Sequence, residues 1–233
     1  MNPLIRLACL LLSLLAIMAI GFGHLDAKKT AEPISLFNGK DLTGWEKFSN
    51  DKNAKLDELF TVDPAEKSIV IKGKPMGYLM TDKEYENYEL TVEWRWAVTA
   101  DVPRDPAKFK GNSGVLLHVT GPNKVWPKCV EAQLLSDSAG DFWLIDGYQL
   151  KVDAGRQDPR SARHFIKAKE HVEKPVGEWN KYVITCRGKS ITLHVNDVEM
   201  NEGTDAEPSK GRIAIQSEGA EIHLRNLILV PLK

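Results

Sequence analysis

Apolar and polar side chains alternate with period two over many short runs of this chain, the pattern of strands with one buried face. The clearest run is YELTVEWRWAV (88–98). Leu90, Val92, Trp94 and Trp96 fall on one side of it, and Glu89, Thr91, Glu93 and Arg95 on the other. LFTVD (59–63) reads as a short strand, and SIVIKG (68–73) and GYLMT (77–81) as two strands about a Gly/Pro turn. KYVITCRG (181–188), SITLHVND (190–197), GRIAIQSEG (211–219) and AEIHLRNLILVPL (220–232) continue the series, with Gly219 a tight connection between the last two. Residues 99–110 are a Pro-broken charged loop, and 136–180 are weakly patterned and rich in Asp, Arg and Lys. The segment VNDVEMNEGTDAEPSK (195–210) reads as turns and a surface loop. The whole predicts an all-β chain: a jelly-roll β-sandwich of two antiparallel sheets, apolar faces together, polar faces on solvent or lining a groove.

Two of the runs place chemistry on a sheet face. In GNSGVLLH (111–118), Asn112, Gly114, Leu116 and His118 share a side by parity, opposite Val115 and Leu117. In CVEAQLL (129–135), Glu131 and Gln133 share a side with Cys129 and Leu135, opposite Val130, Ala132 and Leu134. A carboxylate on a strand is held more firmly than on a loop and can serve as base, acid or nucleophile. The competing reading is an ordinary solvent-facing strand residue. His118 is read as base or metal ligand, against a hydrogen-bonded structural imidazole. QSEG (216–219) puts Gln216 and Glu218 on one side, opposite Ile213, Ile215 and Ser217.

The N-terminus differs from the rest. Residues 7–22 are almost wholly apolar and follow Arg6, which reads as a secretory signal within residues 1–27, cleaved near Gly23 or Ala27. A retained membrane anchor is the alternative. The remaining residues suit one domain of about Ile34 to Leu232. A net charge of −1 supplies no field to draw nucleic acid or an anionic membrane. Cys129 and Cys186 lie in strand-like runs, where a disulfide competes with two buried free thiols.

The chain carries six tryptophans. Exposed indoles stack on sugar C–H faces, whereas buried ones fill cores. Trp94 and Trp96 have core parity, while Trp126 and Trp143 flank the Glu131 run in loops and are read as a groove rim. Glu93 and Arg95 are read as a cross-strand ion pair. The histidines lack zinc-ligand spacing, and Asp137, Asp141 and Asp146 lack the calcium-loop pattern. There is no phosphate-binding glycine loop and no nucleophile elbow.

LFNGKDLTGW (36–45), YENYELTVEWRW (85–96), GNSGVLLH (111–118), VEAQL (130–134), GEWNKYVI (177–184) and GRIAIQSEGAEIHLRNLILVPL (211–232) occur in an order and spacing that resembles the 3-keto-disaccharide hydrolase family. The resemblance implies a concanavalin A-like lectin/glucanase fold, an exported bacterial protein, and a carbohydrate partner. It also implies action on glycosides whose sugar already carries a ketone at carbon 3. That ketone acidifies the hydrogen on carbon 2, so one base and a group that stabilises an enolate oxygen suffice for elimination of the glycosidic oxygen. Glu131 is then the expected base, with His118, Arg95 or a bound divalent cation on the enolate. Asn112, Gln133 and Gln216 would orient hydroxyls.

Two other readings stand beside this one. A lectin-like module on the same fold would bind sugar without turnover. An ordinary glycosidase needs two carboxyls about 5–9.5 Å apart, here Glu131 with Asp141 or Glu218.

Overall fold

The computed structural model describes residues 32–233, so the signal-like segment of residues 1–27 lies outside the described residues. Among them no helix is long and apolar enough to cross a membrane. The chain runs β1 (Ile34–Ser35), β2 (Trp45–Ser49), a one-turn helix α1 (Leu56–Leu59), β3 (Phe60–Asp63), β4 (Ser68–Ile71), β5 (Gly77–Tyr85) and β6 (Tyr88–Trp96). It continues with β7 (Gly114–Thr120), β8 (Lys128–Gln133), β9 (Phe142–Ile145), β10 (Gln149–Val152) and β11 (His164–Phe165). The last five strands are β12 (Asn180–Arg187), β13 (Ser190–Val195), β14 (Val198–Glu207), β15 (Gly211–Ser217) and β16 (Ile222–Pro231).

These strands form two antiparallel sheets, the jelly-roll sandwich of concanavalin A-like type that the alternation and the resemblance predict. One has nine strands, in the order β10-β14-β13-β12-β6-β16-β4-β3 with β1 on β16; the other has seven, β11-β9-β8-β7-β15-β5-β2. Their facing sides bury one large core. Leu90, Val92, Trp94 and Trp96 of β6 enter it from the first sheet, and Val115, Leu117, Val130, Ala132, Ile213 and Ile215 from the second. The seven-stranded sheet is buried on its other side too. There Tyr78, Met80, Leu116, Cys129, Ile145 and Ala214 form a second apolar cluster against Phe48, Trp126 and Trp143. Cys129 therefore belongs to one cluster and Cys186 to the other, and both are buried free thiols.

The turn between β4 and β5 joins strands of different sheets, and the tight connection at Gly219, with φ of +135°, likewise hands the chain from one sheet to the other. The expected surface loop at 195–210 contains the long strand β14, which buries Met200, Gly203 and Ala206 while pairing with β13 and β10. Gly, Asp and Glu depress strand propensity, and pairing on both sides overrides it. The weakly patterned stretch 136–180 supplies β9, β10 and β11.

His118 corrects the parity reading of β7. The β7–β8 register shifts between Leu117 and Thr120, and His118 sits in this bulge with φ of +53°. One extra residue reverses the facing of the residues beyond it, so the ring turns into the core while Val119 joins the outer cluster. Its ring meets Tyr88 edge-on and Tyr148 face-on. Tyr148 Oη donates to Pro208 O, so His118 Nδ1–H donates to Tyr148 Oη at 2.8 Å, and Nε2 is buried with no partner. β15 can lie against this bulge because Gly211 has no side chain: a Cβ there would come within 2.5 Å of the His118 backbone.

Burial lowers the His118 pKa from 6.5 to about 4. The unfolded chain takes up a proton below pH 6.5 that the folded chain refuses, so this group costs stability progressively as pH falls toward 4. The full effect is on the order of 3 kcal/mol. Asn tolerates the left-handed backbone. We expect His118→Asn to be less stable than wild type at neutral pH, with the gap closing by on the order of 3 kcal/mol on acidification, as read by urea unfolding across that range.

Candidate active site

The outer side of the seven-stranded sheet carries a row of residues in register across its strands. Met80 pairs with Ala214, Ala214 with Leu116, Leu116 with Glu131, Glu131 with Trp143, and Trp143 with His164. Adjacent residues in such a row share a face with Cβ atoms about 5 Å apart. The apolar half of the row is the second cluster. The other half opens into a cavity of about 520 Å³, within the range of small-molecule sites.

Of the residues expected at a groove, Asn112, Trp126, Glu131, Gln133, Trp143, Gln216 and Glu218 line this cavity. Glu131 and Gln133 arrive from β8, whose alternate residues are locked in the core. Gln216 comes from the neighbouring stretch of β15, and Glu218 from just beyond its end. The Glu131 carboxyl and the Gln216 carboxamide both extend over Gly114. A Cβ at Gly114 would stand 2.3 Å from Glu131 Oε1 and 2.6 Å from Gln216 Oε1, so glycine is what leaves them room.

The polar groups divide by hydrogen-bonding sense. Glu131 Oε1, Gln216 Oε1 and Asn112 Oδ1 are buried acceptors with no donor. Gln133 Oε1 is used, accepting from the backbone N–H of Leu134 at 2.8 Å and of Leu135 at 2.7 Å. That bond leaves the Gln133 NH2 as the end free to donate to a ligand. Arg163 and Lys124 bring positive charge to the lining; Lys124 pairs with Asp146 at 2.6 Å. Burial pushes the Glu131 carboxyl well above the usual range, the Glu218 charge pushes it further, and the Gln216 amide partly offsets both. Burial also raises Glu218.

Three expected site residues lie elsewhere. His118 faces the core at the β7 bulge. Arg95 belongs to the other sheet, where it pairs with Glu66 at 2.5 Å and stacks on Trp179. Its expected partner Glu93 is bound instead to Arg225 at 2.7 Å. Sequence alternation cannot say which sheet a strand joins. Asp141 is buried in the turn before β9, where Oδ1 accepts from the Lys167 N–H and Oδ2 meets His164 Nε2 at 2.7 Å. It is a neighbour of the cavity wall rather than part of it. Lys124, Asp146 and Arg163 were not expected. They sit in short turns, or beside a two-residue strand, where no periodicity exists to be read. Among the described residues no three His, Cys, Asp or Glu side chains converge to hold a metal ion. The cavity's side-chain oxygens are instead three carboxyls, Glu131, Glu218 and the Lys124-paired Asp146, and the amides.

Glu131 offers a direct test of its burial. A carboxyl with a raised folded pKa loses its share of stability as pH rises through that pKa. Glu131→Gln removes the titration and keeps the shape, so at and above neutral pH the variant is expected to be at least as stable as wild type in thermal unfolding. A carboxylate making structural bonds would instead lose about 1–3 kcal/mol on this change.

The comparisons with known proteins bear on the fold and the family. No curated protein matches the chain in sequence. A crystal structure from Parabacteroides distasonis ATCC 8503, of a protein provisionally named a glycosyl hydrolase, superposes with a TM-score of 0.59 at 22% identity, covering 86% of this chain and 100% of that one. The Bacillus licheniformis β-glucanase superposes at 0.51 with 12% identity, covering 88% and 100%. The carbohydrate-binding module CBM66 from Bacillus subtilis does so at 0.52 with 10% identity, covering 79% and 94%. At these identities the likeness is one of fold. The model of the 3-keto-alpha-glucoside-1,2-lyase-like domain matches residues 32–229, both sheets and the cavity included, and the chain belongs to that family.

Proposed function

We propose that this protein is a carbohydrate-active enzyme that cleaves glycosides bearing a ketone at carbon 3 of the sugar, with Glu131 as the base. The observation that carries this reading is the buried Glu131 carboxyl, which faces the cavity with an oxygen that no protein group bonds. Membership of the 3-keto-alpha-glucoside-1,2-lyase-like family supports the substrate class.

A desolvated carboxylate is a stronger base than one in water, because its charge is not spread over solvent. Glu131 takes the proton from carbon 2, and the C–H electrons pass into the enolate of the carbon-3 ketone. The Gln133 NH2 and the Arg163 guanidinium are the cavity's donors for that oxygen. They take the role the sequence suggested for His118 or Arg95. The enolate electrons then form the double bond between carbons 1 and 2, the bond from carbon 1 to the glycosidic oxygen breaks, and the departing oxygen takes a proton from Glu218 in its acid form. Water adds at carbon 1 and gives its proton to Glu218, while Glu131 returns its proton to carbon 2. The sum is hydrolysis with both carboxyls restored. Asn112 and Gln216, as acceptors, suit the flanking hydroxyls, and Trp126 and Trp143 suit the apolar C–H faces of the sugar.

One observation favours a second reading. Glu131 and Glu218 line the same cavity and both are raised by burial, as an acid and base pair of an ordinary glycosidase would be.

Turnover of a 3-keto-glycoside beside its unoxidised parent separates the two. We expect selective cleavage of the keto form. kcat/KM should be bell-shaped in pH, rising as Glu131 ionises well above 4.5 and falling as Glu218 loses the proton it must donate. Glu131→Gln should lower it by about 10²–10⁴-fold. Equal cleavage of both substrates would favour the glycosidase, and saturable binding without turnover would leave a lectin.

A further inference from the structure

His164 lies outside the chemistry just described, yet both of its ring nitrogens and one face of its ring are engaged. It stands on the edge strand β11, next in the row after Trp143. Its Nε2 is 2.7 Å from Asp141 Oδ2, and its Nδ1 is 2.9 Å from Asp158 Oδ2. Both carboxylates are buried, with 5% and 3% of their side chains exposed. An ionised carboxylate only accepts, and a neutral imidazole has one nitrogen that cannot donate. Two carboxylates on the two ring nitrogens therefore require the imidazolium.

The ring of this cation lies flat on Trp143, with centroids 4.3 Å apart and planes 8° from parallel. That is cation–π geometry, strengthened where water is excluded. Trp143 in turn lines the cavity and is the cross-strand partner of Glu131. The carboxylates are themselves held. Asp158 takes a forked contact from Arg160 and accepts its backbone N–H, and Asp141 accepts from the backbone of Lys167.

We propose that His164, clamped as a cation between Asp141 and Asp158, is a positioning residue that fixes the Trp143 ring as the substrate-binding wall beside Glu131, and that deprotonating it loosens this wall. The proposal deepens the reading of the cavity as a sugar site and rests on it. The charged groups around the imidazole are Asp141 from the turn before β9, Asp158 and Arg160 from the loop before β11, and Arg163 beside it in the chain. Glu131 lies beyond Trp143. Burial alone would lower the His164 pKa, but the bonds and charges of Asp141 and Asp158 outweigh it and set it above 6.5. Arg160 holds Asp158 ionised, well below the usual carboxylate range. The carboxylate on each ring nitrogen thus favours the imidazolium, and the wall is expected to weaken as pH rises above 6.5.

The test combines ¹⁵N imidazole and indole NMR of the full chain without substrate with kinetics on a 3-keto-glycoside, for wild type, His164→Gln and Asp158→Asn. Wild-type His164 should show both ring N–H protons at neutral pH and lose one above pH 6.5, with the Trp143 indole signal moving at the same midpoint. His164→Gln should raise KM about tenfold with kcat changed less than about twofold. Asp158→Asn, the milder change, should lower the His164 midpoint by about one unit and raise KM only above the new midpoint. A single ring N–H at neutral pH, an indole signal indifferent to the titration, or an unchanged KM in His164→Gln would each overturn the proposal. If wild type turns over no keto-glycoside, the substrate reading fails instead. The two NMR signals still decide the clamp.

Discussion

Strand β8 is buried on both faces, and the two burials act differently. On one face Val130 and Ala132 sit in the core between the sheets, where close packing holds the strand to one register. On the other, Glu131 is carried into a desolvated position where Oε1 has no donor and the Gln216 amide offsets only part of the cost. A lone carboxyl would not choose such a place, since removing an ionised group from water without a partner is costly. It stays because the hydrophobic face of the same strand outweighs it. The raised basicity of Glu131 is a direct result of how firmly its neighbours are packed.

The rest of the cavity is built around that constraint. Gly114 on β7 gives up its side chain so that the Glu131 and Gln216 ends can cross it. Gln133 turns its oxygen to the backbone, and the donor end remains for the cavity. The indoles of Trp126 and Trp143 pack against the apolar cluster on the same side of the sheet, which keeps water from Glu131 while leaving a sugar-sized space. Donors and three unpartnered acceptors therefore line one cavity. Proteins of similar fold include a glucanase and a binding module. What separates such proteins is side chains like these rather than the scaffold.

Bulges decide which residues take part. The shift in β7 turns His118 into the core beside Tyr88 and Tyr148, where it is neutral and structural. The corresponding irregularity in β15 between Arg212 and Ala214 lets the two strands remain paired past it. By contrast β9 and β11, short and set at the edge of the sheet, bring Trp143 and His164 into the row without any bulge between them.

Where local periodicity controls placement, the sequence determined the outcome. The alternation in 88–98 and 129–135 predicts which side chains of β6 and β8 enter the core between the sheets, and the pairing of Glu131 with Gln133 on the other face of β8 follows from it. Gln216 and Glu218 were legible in the same way, and the all-β sandwich followed from the number and spacing of such runs. Arg95 shows the limit. Its outward facing was clear, but whether that outside belonged to the cavity depended on which sheet β6 joined, and strand partners come from residues far away in the chain. His118 was misplaced because a single inserted residue reverses parity and leaves no mark in composition. Asp141, Arg163 and His164 come from turns and from a strand two residues long, too short for any period to register. The stacking of His164 on Trp143 and its bond to Asp141 were decided by tertiary packing, which sets residues some twenty positions apart side by side through contacts that no local pattern encodes.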